Sequence, residues 1–253
     1  VPQAVGTFGS RSATMGGSAL VLASQRVLTK ARRIAAHLLE AAPEDVALQD
    51  GAFGVAGAPD RRVTWADLAA AAYATLDLPD GDEAGLEATA FFTPESECYG
   101  FGAHVAYVEI DRDTGVVHLE KLVCVDDCGR VLNPMLVEGQ VLGGVAQGLG
   151  QALLEQVVFT ADGQLQTGSL GDYAVARAAD LPPLDDLLLG HTVTPSPLNP
   201  LGVKGVGEAG TVGVPAAIAN AVMDALAPLG ISHVDMPFTS EKIWRLIQRA
   251  NGT

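Results

Sequence analysis

The stretch LGVKGVGEAGTVGVP, residues 201–215, decides between two folds, because Gly205, Gly207 and Gly210 spell a literal G-x-G-x-x-G. A dinucleotide-binding loop of that spacing follows a buried strand, opens a helix at its third glycine and sits inside a β-α-β unit. Here the preceding residues are TPSPLNPLGVK, residues 194–204, whose three prolines exclude a central parallel strand. Pro215 is placed as the first residue of a helix running to Leu226, five residues after the third glycine. The doubly wound reading fails. What remains is a glycine-rich loop with two ionisable side chains, Lys204 and Glu208.

Over the rest of the chain, helices and hairpins alternate without a parallel-sheet rhythm. Apolar positions Leu20, Ala23, Val27, Ala31, Ile34 and Leu38 recur at helical steps and predict a helix over residues 18–42, stopped by Pro43. DVALQDGAFGV, residues 45–55, carries an Asp-Gly hairpin signal, and Thr64 with Asp67 caps an alanine-rich helix, WADLAAAAYATL, residues 65–76. The polar segment 79–90 reads as a linker and a lobe boundary. GAHVAYVEI, then DRDTG, then VVHLEKLVCV predict an antiparallel hairpin over residues 102–125. Residues 143–156 read as a glycine-rich entry into a helix, LLLGHTV (187–193) and ISHVDMPF (231–238) as strands, and 240–250 as a closing helix. The sum is an α+β architecture of mixed helices and mainly antiparallel sheets, two-lobed, over residues 1–253.

Composition limits the partners. The 253 residues carry 15 basic and 30 acidic side chains, a net charge of −15, which argues against nucleic acid. Apolar residues make up 48%, enough for a large core, yet no apolar run approaches the roughly 20 residues that span a bilayer. With no secretion signal at the start, the expectation is a cytoplasmic protein without a membrane span. Cys98, Cys124 and Cys128 form neither an even set nor a CxxC pair, so they read as reduced thiols and no protein metal ligands are expected.

Two further stretches share the design of the opening loop. VGTFGSRSATMGG, residues 5–17, and LGGVAQGLGQALLE, residues 142–155, each join small residues to a helix. Glycine-rich backbone and helix N-termini bind anions without lysines, so three such loops predict a cradle for a large phosphate-bearing ligand. Ser10, Arg11 and Ser12 can donate to it, Gln147 can donate and accept, and Glu208 is the one carboxylate in the three glycine-rich cores, a candidate general base.

GVKGVGEAGTVGVPAAIANAVMDAL (202–226), VDDCGRVLNPMLVEGQVLGGVAQGLGQALLE (125–155) and GTFGSRS (6–12) resemble, in order, the C-terminal portion of the molybdenum-binding large subunit of the xanthine oxidase family. That family includes aldehyde oxidoreductases and aerobic carbon monoxide dehydrogenases. The resemblance implies a molybdenum–pyranopterin cofactor, in its cytosine dinucleotide form for a bacterial-looking sequence. It implies Glu208 as the base beside the metal, Lys204, Gly205 and Gly207 as the loop presenting it, Phe8, Gly9, Ser10, Arg11 and Ser12 as a turn around the pterin and its phosphates, and Gln147 as a pterin contact. The metal would be held by the cofactor alone. The implied reaction is oxidative hydroxylation of an aldehyde, an N-heterocycle or a CO-type small molecule with water-derived oxygen. It requires the N-terminal portion of the molybdenum subunit, an iron–sulfur subunit and an FAD subunit, arranged as a dimer of heterotrimers. The alternative is a catalytically silent subunit or cofactor-binding scaffold lacking half of its site.

Overall fold

The computed structural model describes residues 6–74 and 78–252. The chain divides into two compact units: Met15–Pro94, and the N-terminal residues up to Thr14 together with Glu95 onward. The boundary therefore falls after Pro94 and not within 79–90. That segment is tied into the first-named unit, because Lys30 donates to the Glu83 carbonyl (2.6 Å), Arg33 pairs with Asp82, and Gly85 N donates to Ala72 O (2.7 Å).

In the Met15–Pro94 unit, α1 (Ser18–Leu38) follows a π-helical turn at Ser12–Gly17. Asp50 and Gly51 both have positive φ (48° and 75°), the backbone of a two-residue hairpin turn, and join β1 (Val46–Gln49) to β2 (Ala52–Val55). A third strand, β3 (Ala58–Thr64), escapes the sequence pattern because it is an edge strand with exposed charges and Pro59. Thr64 and Asp67 then cap α2 (Trp65–Ala74) reciprocally, with Asp67 N donating to Thr64 Oγ1 and Thr64 N to Asp67 Oδ2, both at 3.2 Å. The expected end of that helix, residues 75 and 76, lies outside the described residues. Ile34, Ala35, Phe53 and Leu68 are fully buried in this unit's core.

The other unit carries the long hairpin β4 (Phe101–Ile110) and β5 (Val117–Asp127), turned by Asp111, whose Oδ1 accepts from Asp113 N at 2.9 Å. β6 (Leu187–Thr192), over the expected strand, joins β5 in parallel, the one parallel pair among the described strands. The connection from β5 to β6 is long and helix-bearing, which is what lets a strand return in the same direction.

Three expectations are corrected here. The helix α3 runs Pro134–Leu153 and does not begin at the glycines of 143–150; Asn133 caps it by accepting from Leu136 N at 3.2 Å, with Pro134 in the first turn. The helix α4 runs Ala209–Leu226, so Pro215 lies inside it. Its ring is accommodated at Gly148 of α3, where a Cβ would stand 3.1 Å from Pro215 Cδ. No strand forms over 231–238; Pro237 has no N–H to donate, and Val234 and Phe238 are spent in the core. The helix α5 (Ser240–Ala250) follows as expected.

With its 3-10 extension, the segment Ala209–Leu229 is long and apolar enough (mean hydropathy 1.5) to cross a membrane by length and composition alone, a property that core helices share. Its Val214, Ile218, Val222 and Leu226 are all buried in the core shared with α3, β5 and α5. Glycines make the α3–α4 crossing close: a Cβ on Gly144 would lie 2.8 Å from Thr211 N, and one on Gly210 would lie 2.7 Å from Val145 N. Gly144 and Gly148 are thus packing glycines of the α3–α4 crossing, whereas Gly143 faces open space.

Candidate functional site

The loop carrying Glu208 is stapled to the end of β5. Lys204 N donates to Cys128 O (2.7 Å), Arg130 N to Gly202 O (2.8 Å), and Val203 bridges Gly129. Gly129 and Gly202 both have positive φ (68°), and a Cβ on Gly129 would strike the Gly202 carbonyl, so the two turns meet because Gly129 has no side chain.

Beneath this seam lies a buried ion pair. Lys204 Nζ stands 2.9 Å from Asp127 Oδ1, with side chains 9% and 0% exposed, and 4.7 Å from the Phe101 ring centroid. Asp127 also accepts from Gly129 N (2.9 Å) and Thr192 Oγ1 (3.0 Å). Burial pushes the Asp127 carboxyl up, but donation from Lys204, the Gly129 backbone, Thr194 and Thr192 outweighs it and holds the group well below the usual carboxylate range. The sequence reading placed Lys204 among cofactor contacts; in the fold its ammonium is engaged by Asp127.

The turn at residues 6–12 reaches this loop. Gly6 (φ 87°), Gly9 (φ 57°) and Ser10 (φ 55°) are left-handed, which bends the chain so that Ser10 sits against Gly205. A Cβ on Gly205 would lie 2.7 Å from Ser10 Cβ, and one on Gly207 3.1 Å from Ser10 Oγ. Ser10 Oγ donates to Glu208 Oε2 at 3.1 Å. Glu208 stands as the N-cap of α4 with its side chain exposed and unengaged by the helix backbone. Arg11 is turned inward: its guanidinium donates to Gly6 O (3.1 Å) and stacks on Phe8, 3.6 Å from the ring centroid. Ser12 shares a hydrogen bond with Thr7 (2.6 Å).

The fold therefore brings together Phe8, Gly9, Ser10, Arg11, Ser12, Gly205, Gly207 and Glu208. Gln147 stands exposed in the middle of α3. The residue sequence reasoning missed is Gln140, two helical turns earlier: a Cβ on Gly207 would lie 3.3 Å from its Oε1. The Asn133-Pro134 start signal, taken as the beginning of α3, would have found it, since Gln147 lies about 10 Å further along the axis.

A cavity of about 330 Å³ opens beside Glu208 and Ser10 and is walled by Tyr99, Phe101, Val206 and Val212. Cys98 and Cys128 line it as well. The Cys128 thiol is pushed up chiefly by burial, then by Asp127 and Asp126, and Cys124 is pushed up to about 12 by burial and Asp126. Both are free, buried thiols.

These features fit a pterin carrying its own metal. Bare backbone at Gly205 and Gly207 admits close approach, hydroxyls and turn amides suit phosphate, and a carboxylate faces the opening. The comparisons agree. The molybdopterin cofactor-binding domain family matches residues 1–182, and the chain belongs to that family. It is 40% identical to the carbon monoxide dehydrogenase large chain of Hydrogenophaga pseudoflava, over 99% of this chain and 30% of that one. It is 41% identical to the nicotine 6-hydroxylase large subunit of Paenarthrobacter nicotinovorans, over 95% of this chain and 29% of the relative. Among solved structures it superposes on quinoline 2-oxidoreductase from Pseudomonas putida 86 with a TM-score of 0.86 and 43% identity, covering 96% of this chain and 31% of that chain. Reconstituted CO dehydrogenase from Oligotropha carboxidovorans gives a TM-score of 0.89 at 36% identity, over 99% of this chain and 31% of that one. The chain spans about 30% of the length of these curated relatives.

Proposed function

We propose that this chain forms one wall of a molybdenum–pterin hydroxylase site, with Glu208 as the general base. The observation that carries the reading is the Ser10–Glu208 hydrogen bond, which joins the turn at 6–12 to the loop at 202–208 around the cavity mouth. When bound, the cofactor would supply the activated water-derived oxygen and the two-electron sink. The chain's residues do the rest. Ser10 occupies one carboxylate oxygen of Glu208 and leaves the other free to accept a proton from the reacting centre. Gly205 and Gly207 clear the approach, Gln140 and the 9–12 turn contact the pterin and its phosphates, and the Lys204–Asp127 pair holds the loop in place. A positioned base of this kind contributes about 10²–10⁴-fold.

The substrate class is an aldehyde, an N-heterocycle or a CO-type molecule, and the cofactor form is the cytosine dinucleotide. The remaining large-subunit portion, an iron–sulfur subunit and an FAD subunit complete a cytoplasmic assembly, a dimer of heterotrimers. The reading is tested by metal and pterin analysis of the natively purified complex containing this chain. Molybdenum and pterin in equal amounts support it; their joint absence contradicts it and favours a scaffold.

A further inference from the structure

A second ionisable pair shares the cavity with Glu208 and has no part in the reading above. His104 Nε2 and Asp126 Oδ1 are 3.0 Å apart, with side chains 3% and 9% exposed, and both residues line the cavity. The slot for them is cleared by two glycines: a Cβ on Gly213 of α4 would strike the His104 ring, and one on Gly102 would strike Asp126 Oδ1. Each partner keeps a buried atom without a hydrogen-bond partner among the described residues, His104 Nδ1 and Asp126 Oδ2. A buried polar pair left half-satisfied costs stability, and an apolar pair of the same shape would pack at least as well. Asp126 also lines a second cavity of about 460 Å³, between β6 and the first turns of α3, where the exposed Glu138 and His191 stand.

The chemistry of the proposed reaction asks for such a pair. Hydroxylation with water-derived oxygen is R–H + H₂O → R–OH + 2H⁺ + 2e⁻. The electrons leave through the cofactor to the one-electron carriers of the iron–sulfur subunit. Two protons remain, and Glu208 accepts one. We propose that the His104–Asp126 pair accepts the second proton and passes it toward Glu138 and His191 at the other cavity. Gly213, against the His104 ring, lies five residues after Glu208, about 7.5 Å along the α4 axis, and Glu208, His104 and Asp126 line the same cavity. The other charged groups at this wall are Asp127 and Lys204, and they are committed to each other. The inference rests on the hydroxylase reading.

The experiment compares Asp126→Asn and Glu208→Gln in the cofactor-loaded complex. Asp126→Asn should keep its molybdenum and pterin content and reduce its centre with substrate at a near-normal rate in the first turnover. Steady-state turnover should then fall tenfold or more, and imidazole in the buffer should restore it. Reduced-minus-oxidised infrared difference spectra supply a second readout. The wild-type complex should show a D₂O-sensitive carboxyl or imidazolium band that survives in Glu208→Gln and is lost in Asp126→Asn. A wild-type spectrum without that band overturns the inference even if the variants do not fold. So does a loaded Asp126→Asn complex with wild-type turnover, or with a loss that imidazole leaves unchanged. A loaded Glu208→Gln complex of normal activity instead overturns the hydroxylase reading itself.

Discussion

Ser10 donates to Glu208 Oε2 at 3.1 Å across 198 residues of sequence, and Ser10 can do so only from a left-handed backbone (φ 55°) pressed against Gly205. Removal of the hydroxyl leaves the carboxylate free to rotate. Ser10→Ala should lower kcat by about tenfold with KM little changed, the scale of one charge-assisted hydrogen bond at an accessible site. Steady-state kinetics on the loaded complex check this.

Gly205→Ala places a methyl 2.7 Å from Ser10 Cβ, so the 6–12 turn must move away from the loop. The expected result is a purified complex of normal fold with reduced pterin content. Fluorescence of the released, oxidised pterin measures it directly.

Lys204→Met strips the counter-charge from a fully buried carboxylate. Breaking a buried pair from one side costs about 3–5 kcal/mol. The pH dependence has a definite sign. Asp127 in the fold is held below the usual carboxylate range, so its stabilising contribution is in place above about pH 4 and is lost as pH falls through its depressed value. Without Lys204 that protection weakens, and acid unfolding followed by circular dichroism should begin at higher pH than in the wild type.

Gly144→Ala sets a methyl 2.8 Å from Thr211 N at the α3–α4 crossing. Overpacking there should cost about 1–3 kcal/mol and lower the thermal midpoint by several degrees. Because Gly144 is a packing residue, the folded variant should keep its pterin content, which separates it from Gly205→Ala.

Much of this was legible in the sequence. Asp50-Gly51, the Thr64–Asp67 box and the alternation through β4 and β5 are local signals, and local hydrogen bonding realised them. The helix α3 was misjudged because its glycines resemble a ligand loop, while the Asn133-Pro134 cap ten residues earlier is what sets its start. Gln140, which lies against Gly207, falls in the part of the helix that the glycine pattern leaves out. The edge strand β3 and the parallel β6 depend on pairing partners remote in sequence, and Phe238 is fixed by tertiary packing that no period encodes. The meeting of Lys204 with Asp127, and of His104 with Asp126, is likewise invisible until the strands are paired.

Glu208 is proposed above as the proton acceptor of a pterin-held centre. The most direct test is the rate at which substrate reduces that centre in cofactor-loaded Glu208→Gln, followed by stopped-flow absorbance. The expected result is wild-type molybdenum and pterin content with a reduction rate lower by about 10²-fold or more. A fully loaded Glu208→Gln complex reduced at the wild-type rate would contradict it.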